Sequence, residues 1–310
     1  ASRGLGDVYK RQAARGGLVD EQALADAITN GKIRGAGFDV YATEPCTDSP
    51  LFALDEVVVT PHLGASTAEA QDRAGTDVAG SVLKALAGEF VPDAVNVVGG
   101  AVGEEVAAWL ELARKLGLLA GNLLDDAPVS LRVTARGELS TEDPSTLALS
   151  AVRGLFSGIV EEPVTFVNAP AIAEARGLEF DSGVATESRG HRSSLEVQVV
   201  SANGSTATVE GALTSLEHVE KIVRINGRGV DMRAEGRNLF LSYTDQPGAL
   251  GKVGSQLGEK GINIEAAALT QAVKGDGAFL ILRVEAEIPA DLEKTIAESI
   301  QASSFQLVLD

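Results

Sequence analysis

Val57-Val58-Val59-Thr60-Pro61-His62-Leu63-Gly64-Ala65-Ser66-Thr67-Ala68-Glu69 is the stretch that sets the architecture. A short β-branched run bounded by turn residues reads as a buried strand of a parallel sheet. Pro61 ends it. Ser66-Thr67-Ala68-Glu69 has the form of a capping box, with Ser66 as the cap and a helical pattern continuing to about Leu86. The stretch therefore delivers a histidine from a strand end to the start of a capped helix. Open α/β sheets place their ligands at such a point, outside the carboxyl ends of the strands. Upstream, Gly35 to Val40 reads as a neighbouring buried strand. Leu24, Ala27 and Ile28 give a helix its apolar face, with Asp20 as N-cap.

Outward from this α/β segment the pattern changes. Val91 to Gly103 is a Pro/Gly-containing stretch that reads as a linker. Val106, Trp109, Leu110, Ala113, Leu116, Ala120 and Leu123 recur at helical spacing, and Val129, Leu131, Val133 and Ala135 alternate with polar residues as in a half-exposed strand. Asn203-Gly204 and Asn226-Gly227 each separate two strand-like runs and predict type I′ hairpins, since both residue types tolerate positive φ. From Asn238 onward, strand Leu239–Tyr243, a helix through Leu250, Val253 and Leu257, strands Ile262–Leu269 and Ala278–Val284, helix Leu292–Ile300 and strand Phe305–Leu309 give the order βαββαβ, a ferredoxin-like unit.

The 310 residues are 45% hydrophobic and 23% charged, enough apolar material for two or three cores. The net charge of −18 is the wrong balance for a nucleic-acid binder. A lone Cys46 in a polar loop gives no disulfide framework and reads as an incidental thiol suited to a reducing compartment. Val106 to Leu124 is interrupted by Glu111, Arg114 and Lys115 and does not read as a membrane span, and the first residues lack the apolar core of a secretory signal. A cytoplasmic location is the expectation, with no metal.

Of three histidines, His191 and His218 lie among polar and charged residues and read as surface groups, whereas His62 stands at a strand end. A histidine acting as base needs a carboxylate to fix its tautomer, and Glu44 follows the neighbouring strand. Arg15, followed by Gly16 and Gly17, has the planar fork that grips a carboxylate, with glycines that allow close approach. Ser66 beside His62 raises a hydrolase as another class, but Ser66 fits a helix cap and no strained nucleophile turn surrounds it.

Ala13-Ala14-Arg15-Gly16-Gly17-Leu18-Val19-Asp20, Gly37-Phe38-Asp39-Val40, Glu44-Pro45 and Thr60-Pro61-His62-Leu63-Gly64 resemble, in order and spacing, the D-2-hydroxyacid dehydrogenase family. The resemblance implies a doubly wound NAD-binding sheet. It implies that Arg15 binds the substrate carboxylate, that His62 takes the hydroxyl proton as hydride passes to NAD, and that Glu44 holds His62. It places Ala13, Ala14, Arg15, Asp39, His62, Gly64 and Ala65 on the cofactor side. Tyr243-Thr244-Asp245-Gln246-Pro247-Gly248-Ala249-Leu250 with Gly261-Ile262-Asn263-Ile264 is similar to an ACT regulatory domain. There Tyr243, Asp245 and Asn263 would bind L-serine. The segment 102–235 resembles the intervening domain of the long-form branch that oxidises 3-phosphoglycerate in serine biosynthesis, with Lys221, Arg233 and Arg283 as a possible anion site. That branch implies a homo-oligomer, tetrameric at full length.

The resulting division is 1–12, a foreign junction; 13–63, the C-terminal remnant of the nucleotide-binding domain; 64–101, a returning helix and strand of the substrate domain; 102–235, intervening; and 236–310, ACT. No Gly-x-Gly-x-x-Gly precedes Ala13, and Tyr9-Lys10-Arg11-Gln12 is polar where the family has an apolar strand. The expectation is a truncated chain that does not turn over alone. The alternative function is a non-catalytic module that binds an amino acid and oligomerises.

Overall fold

The computed structural model describes residues 9–12, 15–94, 102–214, 218–270 and 277–310. The chain forms two compact units, Ala1–Leu83 and Lys84–Asp310.

The first unit contains β1 (Tyr9–Gln12), α1 (Glu21–Thr29), β2 (Gly35–Phe38), β3 (Val57–Val59) and most of α2 (Ala68–Leu86). The strands form one parallel sheet, β1-β2-β3, with Arg11 opposite Gly37 and Gly37 opposite Val58. Residues 9–12, expected to belong to a foreign junction, are thus laid into the sheet by backbone hydrogen bonding, which is indifferent to their polar side-chain types. Leu24, Ala25, Ile28, Ala36, Phe38, Tyr41 and Leu51 close a small core. Asp20 caps α1 as the sequence predicts, its carboxylate accepting from the Ala23 amide at 2.9 Å.

Two expectations for this unit are corrected. β3 is an edge strand and not a buried one: Val58 is 71% and Val59 39% exposed, because no described strand lies beyond it. The cap of α2 is Thr67, whose hydroxyl accepts from the Ala70 amide at 3.2 Å, one residue later than the Ser66 expected. No residue of α2 is buried.

The second unit runs α3 (Glu104–Ala107), α4 (Leu110–Asn122), β4 (Pro128–Gly137), α5 (Ser145–Ser157), α6 (Ala169–Ala175), β5 (Glu179–Ala185), β6 (Ser193–Ser201), β7 (Thr206–Leu213), β8 (Glu220–Ile225), β9 (Arg228–Arg233), β10 (Arg237–Tyr243), α7 (Ala249–Glu259), β11 (Ile264–Leu269), β12 (Ala278–Val284), α8 (Ala290–Ile300) and β13 (Ser303–Val308). The single helix read across Val106 to Leu123 is broken into α3 and α4. Within the expected linker, residues 95–101 lie outside the described residues.

β4 to β9 form a six-stranded sheet, order β5-β4-β6-β7-β8-β9, in which only the β4–β5 pair is parallel. Leu131, Val133 and Ala135 alternate inward as predicted and meet α4 and α5 in one core, whereas Val129, read with them, is 40% exposed near the start of the strand. The two helices cross at glycines: a Cβ on Gly117 would lie 2.0 Å from the Ala151 carbonyl oxygen, and one on Gly154 1.8 Å from that of Arg114. Asn226 (φ 47) and Gly227 (φ 78) make the expected two-residue type I′ turn. The other hairpin differs. Gly204 (φ 84) is left-handed, but Asn203 is not. The Asn203 carboxamide oxygen instead accepts from Ser201 Oγ and the Ser205 amide in a four-residue loop.

β10 to β13 form a separate four-stranded antiparallel sheet, order β11-β12-β10-β13, with α7 and α8 packed against it. This is the βαββαβ order read from the sequence. Among the described residues, no helix is long and apolar enough to cross a membrane.

Candidate active site

The first unit gathers its chemistry at the carboxyl ends of β2 and β3. Because Phe38 pairs with Val59, Asp39 and Thr60 leave the sheet side by side. Thr60 Oγ1 donates to Asp39 Oδ1 at 2.5 Å, and the amides of Leu63 and Gly64 donate to the same carboxylate at 2.7 Å each. Asp39 is 7% exposed. The Thr60 hydroxyl and the Leu63 amide hold its carboxyl below the usual carboxylate range, with Gly64 and the nearby His62 adding to the effect. Asp39 therefore clamps the His62–Gly64 turn. The Asp39 carbonyl also accepts from the His62 amide at 2.8 Å, and His62 takes the left-handed φ of 56°.

His62 Nδ1 lies 2.7 Å from Glu44 Oε2. The other Glu44 oxygen accepts from the Tyr41 amide at 3.0 Å, and this bond first, then His62, keeps Glu44 below its ordinary pKa. An ionised carboxylate can only accept, so Nδ1 carries the proton and Nε2 of the neutral ring is left with the lone pair. Both side chains remain partly open to solvent. The geometry thus provides a proton acceptor on a fixed ring at the strand ends.

Arg15 is exposed. The next residue fixes its segment: a Cβ on Gly16 would lie 2.1 Å from the Tyr41 carbonyl oxygen, so only glycine lets the backbone approach the Tyr41–Glu44 loop this closely. Gly64 and Ala65 lie on the clamped turn, while Ala13 and Ala14 fall outside the described residues. Sequence reasoning missed the supports. Tyr41 donates its hydroxyl to the Thr60 carbonyl at 3.2 Å, and Glu21 accepts from the Ala42 amide at 3.0 Å and from Ser49 Oγ at 2.7 Å. Glu21 could have been found only as a second carboxylate at a helix start, a signal too common to select it.

The remaining expected sites lie in the second unit. Asp245 and Asn263 are exposed near α7, whereas Tyr243 is buried in the core of the four-stranded sheet. Burial, and then the charge of Asp245, raise the pKa of the Tyr243 phenol. Lys221, Arg233 and Arg283 line one cavity of about 570 Å³, together with Thr214, Val219 and Ala267. His191 and His218 take no part in the strand-end cluster, and Cys46 donates to the Asp48 carbonyl at 3.5 Å.

Residues 12–64 match the model for the D-isomer specific 2-hydroxyacid dehydrogenase NAD binding domain, and residues 105–226 match that for the D-3-phosphoglycerate dehydrogenase intervening domain. The chain belongs to the D-isomer specific 2-hydroxyacid dehydrogenase family. Within it, the chain is 60% identical over 296 residues to a D-3-phosphoglycerate dehydrogenase of Mycobacterium tuberculosis, covering 96% of this chain and 56% of that one. It is 33% identical over 290 residues to one of Methanocaldococcus jannaschii, covering 92% and 54%. The chain thus spans about half the length of these relatives. A solved D-isomer specific 2-hydroxyacid dehydrogenase from Xanthobacter autotrophicus Py2, in complex with NADPH and MES, is 38% identical but covers 27% of this chain and 34% of that one, with a TM-score of 0.24.

Proposed function

We propose that this chain is part of an NAD-dependent enzyme that oxidises 3-phospho-D-glycerate to 3-phosphohydroxypyruvate, and that Arg15, Glu44 and His62 act on the substrate. The observation that carries this reading is the carboxylate-held imidazole, Glu44 to His62 at 2.7 Å, at the strand ends. His62 Nε2 accepts the proton of the substrate hydroxyl. Glu44 stabilises the imidazolium that results, and Arg15 orients the substrate carboxylate through two parallel hydrogen bonds. The nicotinamide cofactor, when bound, takes the hydride. The residues present suit its nicotinamide end, where the turn clamped by Asp39 would offer Gly64 and Ala65 as a surface. No Gly-x-Gly-x-x-Gly turn for its phosphates occurs in this sequence.

The βαββαβ unit is read as an ACT domain that binds L-serine as feedback effector. Asp245 receives the amino group, with Asn263 beside it and Tyr243 supporting from the core. The cavity of Lys221, Arg233 and Arg283 is read as an anion site. The assembly is a homo-oligomer.

Joining the part of the Mycobacterium tuberculosis relative that precedes its matched region to this chain supplies the test. The chimera should reduce NAD with 3-phosphoglycerate, and His62→Asn should lower kcat by about 100-fold or more, the scale of lost general-base catalysis. A folded chimera without turnover, or full turnover in the His62→Asn form, would overturn the reading.

A further inference from the structure

The cavity of Lys221, Arg233 and Arg283 is not a bare cationic pocket. Its two arginines come from different sheets, Arg233 from the end of β9 and Arg283 from β12, and they share one carboxylate. Glu235 Oε1 lies 2.5 Å from Arg283 Nη1 and 3.6 Å from Arg233 Nη1. Arg283 Nε also meets Glu265 at 3.1 Å, and Lys221 Nζ meets Asp231 at 2.8 Å.

Glu235 differs from the other two carboxylates in where it sits. Glu265 and Asp231 stand on β11 and β9, each beside the direct partner of its cation on the neighbouring strand, since Arg283 faces Ala266 and Lys221 faces Arg233. Glu235 stands in the three-residue connector Ala234-Glu235-Gly236 between the two sheets, and its backbone is fixed from both sides. The largely buried Lys115 reaches from α4 to donate to the Ala234 carbonyl at 2.9 Å while pairing with Glu220 at 2.9 Å. Asn238 Nδ2 donates to the carbonyls of Glu235 and Gly236 at 3.1 and 2.8 Å. Gly236 takes a φ of +68° in which a Cβ would lie 3.2 Å from Arg283 Cδ. The connector therefore presents the Glu235 carboxylate to the arginine pair without further ordering of the chain.

We infer that Glu235 is a tethered internal ligand of the Arg233–Arg283 pair, a carboxylate that a phosphate-bearing small anion must displace to enter the cavity. This residue then sets the cavity's affinity for such anions. The inference rests on the reading of the cavity as an anion site given above. A tethered competitor acts at an effective concentration on the order of millimolar. Dilute anions are therefore refused, while a dianion that also recruits Lys221 prevails when abundant. Entry transfers both arginines from the connector to the ligand, so the ion pairs by which the Glu235 carboxylate joins Arg233 to Arg283 are broken by occupancy.

Calorimetric titration of the full chain with inorganic phosphate, at matched ionic strength, tests this. Glu235→Gln keeps the shape and removes the competing charge. It should tighten phosphate binding about five- to tenfold, the scale of one to two partly exposed ion pairs. Glu235→Gln/Arg283→Met should lose that gain. Unchanged or weaker binding in Glu235→Gln would overturn the role of Glu235 and leave the anion site standing. A gain that survives in the double variant would overturn it by placing the phosphate elsewhere. No phosphate heat in either the parent or Glu235→Gln would remove the anion site and this inference together.

Discussion

Asp39 stays charged at 7% exposure because three donors converge on its two oxygens, and that charge organises the turn carrying His62. Asparagine in its place presents an NH2 group where one oxygen accepts, so one or both backbone amides lose their partner. In Asp39→Asn, hydrogen exchange at the Leu63 and Gly64 amides should quicken at least about tenfold, with little change in α1. Unchanged exchange would mean that the turn holds itself. The pH dependence has a fixed sign. Asp39 and Glu44 both have folded pKa values below the ordinary carboxylate range. Their contribution is therefore fully present above the unfolded carboxylate pKa and is lost as pH falls through the lower folded values. Protection at Leu63 and Gly64 should persist at pH 5 and fade only in stronger acid. Asp39 and Thr60 were readable as strand-end residues. Their mutual bond was not, because it depends on the register of β2 against β3, and two short apolar runs leave register open.

At the scale of elements, α4 and α5 pack backbone to backbone through Gly117 and Gly154. A methyl group at Gly154 has no room without moving a helix, and overpacking of this kind costs about 1–3 kcal/mol or more. Gly154→Ala should lower the denaturation midpoint of the second unit accordingly, whereas Gly229→Ala, where a Cβ meets nothing within 4 Å, should leave it nearly unchanged. Equal effects would refute the close crossing. This contrast marks the limit of legibility. The strands of the βαββαβ unit, the cap Asp20 and the Asn226-Gly227 turn were visible because each is written in local residue types. The helix crossing, the shift of the α2 cap to Thr67 and the exposure of β3 depend on what lies opposite in space. At the candidate site, the residues of the family motifs were legible, but Glu21 and Tyr41, which hold the loop between them, carry no motif.

For the whole molecule, the decisive contrast is between the units. Among the described residues, the first clusters seven buried apolar side chains against a three-stranded sheet with an exposed edge, while the second holds two larger cores. Thermal unfolding should show two transitions, the earlier from residues 1–83. L-serine should raise only the later one, by about 2.7 kcal/mol of stabilisation at 100 times its dissociation constant, and Asp245→Ala should abolish the shift. A shift of the earlier transition, or none at all, would count against the serine site. The order of the four-stranded sheet also bears on how the chain is made. β10 is central, yet it pairs only with β12 and β13, so Arg237 waits for Val284 and Val308. At about 5–20 residues per second, Leu239, Phe240 and Leu241 spend on the order of several seconds on the nascent chain before either neighbour can cover them. This strand is therefore the segment on which a ribosome-bound chaperone would find a waiting apolar target.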